Sequence, residues 1–257
     1  MFGKKKKQIA TQRKIILGMV ILQDENSFDP AAFRKDFKKH YNKNTKEASG
    51  DSSSFAFKIG DELIVVAHMP VPIPHGDIEG TAKYAYNWPT AIEDLKDHKS
   101  HLIVTITSGG QDQINRFKIF TQVICSLLRT TNSLGVYKGN QSLLIPKDDY
   151  LDAGSLMTDD HFPLEHWIYF GYRITDEGIS SYTYGLKEFD KSEMEIINSS
   201  KSIEEVSDFL FNMTHYVLDY DVTFKDGQTC GMSAEEKIAI TLSKGIFIGG
   251  DTFKLAY

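Results

Sequence analysis

The stretch from Asp61 to Thr107 sets the terms for this chain. An apolar run, Leu63 to Met69, ends abruptly at Pro70-Val71-Pro72-Ile73-Pro74. Three residues in five lack a backbone N–H and are locked in φ, so a strand must stop there and the chain must continue extended, as polyproline II, across the sheet edge. Trp88-Pro89 then fixes a helix start, and His98-Lys99-Ser100-His101 leads into a second apolar run ending at Thr107. The stretch concentrates four of the seven prolines and four of the eight histidines, so a site would start here. No complete catalytic or cofactor motif stands in it.

A length of 257 residues, with 41% hydrophobic and 25% charged, suits one large domain or two small ones around a buried core. Cys125 and Cys230 are the only cysteines, which argues for a reducing, cytoplasmic setting without a disulfide framework, both thiols being inert. Lys4 to Lys7, Arg13 and Lys14 before the apolar Ile15 to Leu22 have the outline of a secretory signal. Gln23-Asp24-Glu25-Asn26 stands where a small-residue cleavage site belongs, and the run is far short of the roughly 20 residues of a membrane span. Residues 1–13 therefore read as a disordered basic tail, with no membrane as partner.

Charge divides the chain. Residues 1–145 hold 20 Lys and Arg against 14 Asp and Glu, a balance of +6, whereas residues 146–257 hold 9 against 21, a balance of −12. Phosphate neutralisation needs clustered Lys and Arg, so the acidic half disfavours nucleic acid. It serves as a solvated surface or meets a protein partner with a basic surface.

Lys14 to Leu22 reads as a buried strand and Asp29-Pro30 as a helix start, with Phe33, Phe37 and Tyr41 on one face. Residues 42–54 read as a loop, followed by strands Phe55 to Ile59 and Glu62 to Met69 joined at Gly60-Asp61. Helices are expected around Asp77 to Tyr86 and Thr90 to Asp97, the second with a capping-box spacing at Thr90-x-x-Glu93. His101 to Thr107 reads as a central strand covered on both faces, and Asp112 to Leu128 as an amphipathic helix. Gly135 to Pro146 suggests a strand pair and Lys147 to Ala153 a short helix. This order suggests an α+β fold: residues 14–145 a ferredoxin-like split βαβ half with an antiparallel or mixed sheet and helices on one side. Residues 146–257 form a second α+β half packed closely against it, the two being either separate halves or one domain overall. It has a hairpin from His166 to Leu186, a helix opened by Ser202-x-x-Glu205, and strands near Tyr220 to Phe224 and Lys237 to Phe247.

The chemistry-bearing residues give incomplete sets. His98-x-x-His101, with His68 and His75 nearby, could supply three imidazoles to zinc or iron, but lacks the acidic residue of metalloprotease spacing. Cys125 sits on the apolar side of a helix; Cys230 lies in a more permissive turn that His215 or His166 could approach. Ser108-Gly109-Gly110-Gln111 joins a strand to a helix, a place where amides hold anions, yet lacks both nucleotide-loop patterns. Glu193, Glu195 and Asp190, like Asp159, Asp160 and His161, read as solvated loops. No catalytic, cofactor-binding or metal residue is assigned.

Pro70-Val71-Pro72-Ile73-Pro74, Trp88-Pro89, His98-x-x-His101, Gly135-Val136-Tyr137, Pro163 to Ile168, Thr183-Tyr184-Gly185-Leu186, Glu193-Met194-Glu195-Ile196 and Asp226-Gly227-x-Thr229 together resemble a bacterial family, domain-of-unknown-function family forty-two sixty-one. The likeness spans about residues 14 to 250 and implies a bacterial, cytoplasmic protein without bringing any catalytic residue. Two functions are expected in competition. One is a non-enzymatic protein-binding protein, an immunity or regulatory partner using its acidic surface. The other is a metal-dependent hydrolase-like enzyme built around His75, His98 and His101.

Overall fold

The computed structural model describes residues 14–110, 112–233 and 235–257. The expected tail over residues 1–13 lies outside the described residues, as does Gln111. In the first half, β1 (Ile16–Leu22) leads into α1 (Pro30–Tyr41), β2 (Lys46–Gly50), β3 (Ser54–Ile59), β4 (Glu62–Met69), α2 (His75–Ala82) and α3 (Ala91–Leu95). Then come β5 (Ser100–Ser108), α4 (Gln113–Thr130), β6 (Ser133–Lys138), β7 (Leu143–Pro146) and α5 (Lys147–Leu156). The strands form one antiparallel sheet in the order β2-β3-β4-β5-β1-β6-β7.

Local chemistry explains the helices on the main face of this sheet. The Asp29 carboxylate accepts from the Ala31 amide at 2.8 Å and Pro30 opens α1, while Asp112 accepts from the Asn115 amide at 2.9 Å at the start of α4. Such caps satisfy amides that have no partner inside the helix. Phe33 and Phe37 of α1 and Phe117, Phe120 and Ile124 of α4 are buried against Val20, Val66, Val104 and Ile106 of the sheet. Each side chain of this size contributes about 1.5–3 kcal/mol on burial.

The opposite face differs from expectation. There, α2 and α3 bring Ile73, Ile78, Trp88, Ala91 and Leu95 onto Ile21 and Leu144, so helices cover both faces rather than one. Their cover ends before β4 and β5, where Val65, Ala67, Ile103 and Thr105 are only half-buried. β5 is central in position but fully covered on one face alone. The α3 capping box also fails to form: the Thr90 hydroxyl donates instead to Asp94, which accepts from the Trp88 indole as well, both at 2.7 Å.

The fold is α+β, as the sequence suggests, but the ferredoxin-like detail does not form as read. That unit would set β1 between β4 and β5, whereas β4 pairs with β5 directly. Crossovers of the split βαβ kind occur with different members: β1 and β4 run parallel with β5 between them, and β5 and β6 run parallel with β1 between them. Residues 42–54, expected as loop, include β2, an edge strand with every side chain exposed.

The second half contains β8 (Tyr169–Thr175), β9 (Gly178–Tyr184), β10 (Met194–Ser199), α6 (Ile203–Asp219), β11 (Thr229–Cys230), β12 (Ile238–Lys244) and β13 (Asp251–Leu255). Their sheet runs β11-β12-β13-β10-β9-β8, with β10 and β13 parallel. The reciprocal Ser202–Glu205 capping box forms, and Val206, Leu210, Met213 and Val217 face the sheet. Residues 220–224 form no strand, and β13 appears where none was expected. The two halves share one apolar cluster: the Phe117 and Phe189 rings lie 4.5 Å apart, and the Trp167 indole donates to the Thr121 hydroxyl at 2.9 Å.

Candidate functional site

The histidines explain the proline strap. Pro70, Pro72 and Pro74 offer no amide, which leaves the peptide groups of Val71 and Ile73 to be satisfied. The Ile73 amide donates to His98 Nε2 at 2.8 Å, so the ring proton sits on Nδ1, which donates to the Leu95 carbonyl at 2.6 Å. His101 Nδ1 donates to the Val71 carbonyl at 2.9 Å, and burial lowers the pKa of this ring. His75 lies edge-on to His98 with centroids 6.1 Å apart, and His68 is close enough to bear electrostatically on His101. The four do gather in one neighbourhood. Both His98 nitrogens are occupied by backbone, however, and among the described residues no three His, Cys, Asp or Glu side chains are arranged to hold a metal ion.

The buried carboxylates overturn the expectation of a solvated loop at Glu193 and Glu195. Both are fully buried. Glu193 accepts from the Gly185, Leu186 and Lys187 amides at 2.9, 3.2 and 3.3 Å and from the Thr183 hydroxyl at 2.8 Å. Burial outweighs these bonds and raises its pKa. Glu195 accepts from the Ile246 and Phe247 amides, from Thr252 and from Lys254 Nζ at 2.9 Å. Burial opposes ionisation there too, but the bonds from Lys254 and the two amides win and its pKa falls. Each carboxylate therefore clasps a loop to the sheet. By the same logic the Ser108–Gly110 turn is no anion cradle: a side chain at Gly109 would collide with the Glu62 carboxylate, which pairs with the fully buried Arg116 at 2.9 Å.

Burial works against ionisation of both thiols. Burial raises Cys125 to about 11, and burial with Glu236 nearby raises Cys230 to about 11. A more unusual group is Lys138 on β6, which no motif announced. It is 1% exposed, donates to the His166 carbonyl at 2.9 Å, and has the Phe117 and Phe120 rings at 5.0 and 6.0 Å. Burial brings it down to about 7 and brings neighbouring His166 down to about 4.

An open groove of about 730 Å³ lies between α6 and residues 220–232. Met213 and Phe224 are buried in its wall, and Phe224 stands edge-on to Phe253 of β13. Tyr216 and Tyr220, one helical turn apart with rings at 5.4 Å, and Met232 are 42%, 70% and 55% exposed along it. His215 stacks on Phe162 at 4.8 Å, and His215 and Cys230 both line this groove. Hydrogen bonds fix the far wall: Gly227 to the Ile240 carbonyl, Ile240 to the Gln228 carbonyl, and the Met232 amide to Glu236. The alternation Tyr220-x-Val222-x-Phe224, which suggested a strand, is the pattern of this wall. It turns Phe224 inward without a partner strand.

No curated protein and no solved structure matches the chain. Of the motifs that carried the resemblance, Thr183-Tyr184-Gly185-Leu186, Glu193-Met194-Glu195-Ile196 and Asp226-Gly227-x-Thr229 lie within a family match, whereas the proline and histidine motifs of the first half lie outside it. Over residues 182–256, from within β9 to just past β13, the chain matches the model of a domain of unknown function, DUF4261.

Proposed function

We propose that this chain is a non-enzymatic protein-binding protein, a bacterial cytoplasmic immunity or regulatory partner whose acidic second half covers a basic surface. One observation carries this reading: the side chains with the most chemistry are spent on holding the backbone. His98 and His101 satisfy the proline strap, Glu193 and Glu195 clasp loops, and both thiols are raised far above neutrality. The charge left for the surface is acidic. Residues 146–257 carry 21 Asp and Glu, and all but Glu193 and Glu195 remain outside the fully buried set. Complementary charge accelerates encounter and selects partners, and salt screens it. A metal-dependent hydrolase-like activity at His75, His98 and His101 would require His98 to release a backbone partner first.

The test is affinity capture from the native organism with the intact chain, at low and at high salt. The expected result is a protein of basic isoelectric point that is retained at low salt and released as salt rises. Retention indifferent to salt, or capture of acidic proteins alone, refutes the reading.

A further inference from the structure

We infer that the groove between α6 and residues 220–232 is the recognition point within that acidic half, and that it takes a peptide segment with apolar or aromatic anchors flanked by Lys or Arg. The inference rests on the proposed binding function and localises it. Three observations converge on this occupant. First, Tyr216, Tyr220 and Met232 stand exposed on its walls while Met213 and Phe224 line it from the core, so an anchor entering the groove meets apolar surface on several sides. Tyrosine offers large contact area at small entropic cost, and methionine adapts to varied shapes.

Second, the rim is acidic. Between residues 219 and 237 the chain carries Asp219, Asp221, Asp226, Glu235 and Glu236 against Lys225 and Lys237, a balance of −3. Among the described ion pairs, Lys191 pairs with Asp221 at 2.6 Å and brings the rim to −2. No carboxylate lines the groove itself, while Asp219, Asp221 and Asp226 are each next in sequence to a residue that does, which suits cations beside an apolar anchor.

Third, the walls are set before anything binds. The Leu242 amide donates to Asp226 at 2.8 Å, the Lys225 amide to Gln228 at 2.9 Å, and the Val222 amide to the Val217 carbonyl at 2.9 Å. Little ordering is left to oppose association, so a short segment suffices.

The experiment uses the full chain and a fluorescein-labelled amphipathic peptide made of lysine, leucine and one tryptophan, read by fluorescence anisotropy. A second peptide has glutamate at every lysine position. Binding of the first peptide and not the second is expected, with the Kd weakened about tenfold or more in Tyr220→Ala/Met232→Ala, whose exposed side chains are removable without opening the core. Asp148→Asn/Asp152→Asn, on α5 of the same half, is expected to bind like the wild-type chain. Failure of the lysine peptide to bind, or equal binding of both peptides, overturns the inference. Equal affinity for wild type and the Tyr220/Met232 variant overturns it too; if binding then weakens in the Asp148/Asp152 variant, the acidic-surface function survives without the groove.

Discussion

Replacing Lys138 by methionine tests the most costly group in the interior. Lys138 makes no ion pair among the described residues, and burial, opposed only by the charge of Glu188, brings its pKa from 10.5 to about 7. Between those two values the unfolded chain holds a proton that the folded chain releases, so stability rises with pH across that window. Below the folded value the penalty is fully present. One pKa unit corresponds to about 1.36 kcal/mol, so the shift amounts to about 4–5 kcal/mol at low pH. Linkage relieves about 2 kcal/mol of it between about pH 7 and about pH 9. Lys138→Met keeps the length of the side chain, removes the titration, and gives up the hydrogen bond to the His166 carbonyl, which is worth about 1 kcal/mol. Urea denaturation across this pH range reads both effects. The variant is expected to be more stable than wild type near neutrality, by about 3–4 kcal/mol, with the advantage shrinking as pH rises. A wild-type stability that is flat from neutral to mildly alkaline pH, or a variant with the same slope, refutes the reasoning.

Two further outcomes follow from the buried polar clusters. Glu195→Gln strips Lys254 of its buried counter-charge and weakens the clasp on Ile246 and Phe247, so a loss of about 3 kcal/mol is expected in denaturant titrations, with faster amide exchange at those two residues. Because the folded pKa of Glu195 is depressed, its contribution is present above the ordinary glutamate range and is lost on acidification through the folded value, so the gap between wild type and variant should narrow there. His98→Ala leaves the Ile73 amide and Leu95 carbonyl without their ring partner. A cost of about 1–3 kcal/mol and new proteolytic cleavage within residues 70–74 are expected; an unchanged cleavage pattern would contradict the strap function.

Much of the framework was legible because its signals are local. Asp29-Pro30, Asp112 and Ser202-x-x-Glu205 act within one helical turn, and the Gly60-Asp61 and Asp176-Glu177 turns lie between strands that pair with each other. What escaped depends on distant partners. Glu193 and Glu195 resemble a solvated acidic run until the amides at 185–187 and 246–247 are brought to them. β2 carries no apolar residue beyond Ala48 and exists only because β3 offers its edge. Lys138 sits at an inward position of β6, where an apolar residue is the rule, and no spacing marks it as different from a surface lysine. The sequence left open whether His68, His75, His98 and His101 converge, and the purpose of His98 and His101 became visible only with the backbone groups of Val71 and Ile73 in position.

The family segment begins at Tyr182, in the middle of β9, and this has a practical meaning for anyone isolating it. β9 is hydrogen-bonded to β8 on one side and to β10 on the other, so a fragment cut at that boundary would keep the acidic clasps but discard half of one strand and all of its neighbour. It would also strand Phe189, whose ring packs on those of Phe117 and Trp167 from upstream sequence. The matched segment and the sheet with its shared core are thus different lengths of polypeptide, and the shorter one ends inside a strand.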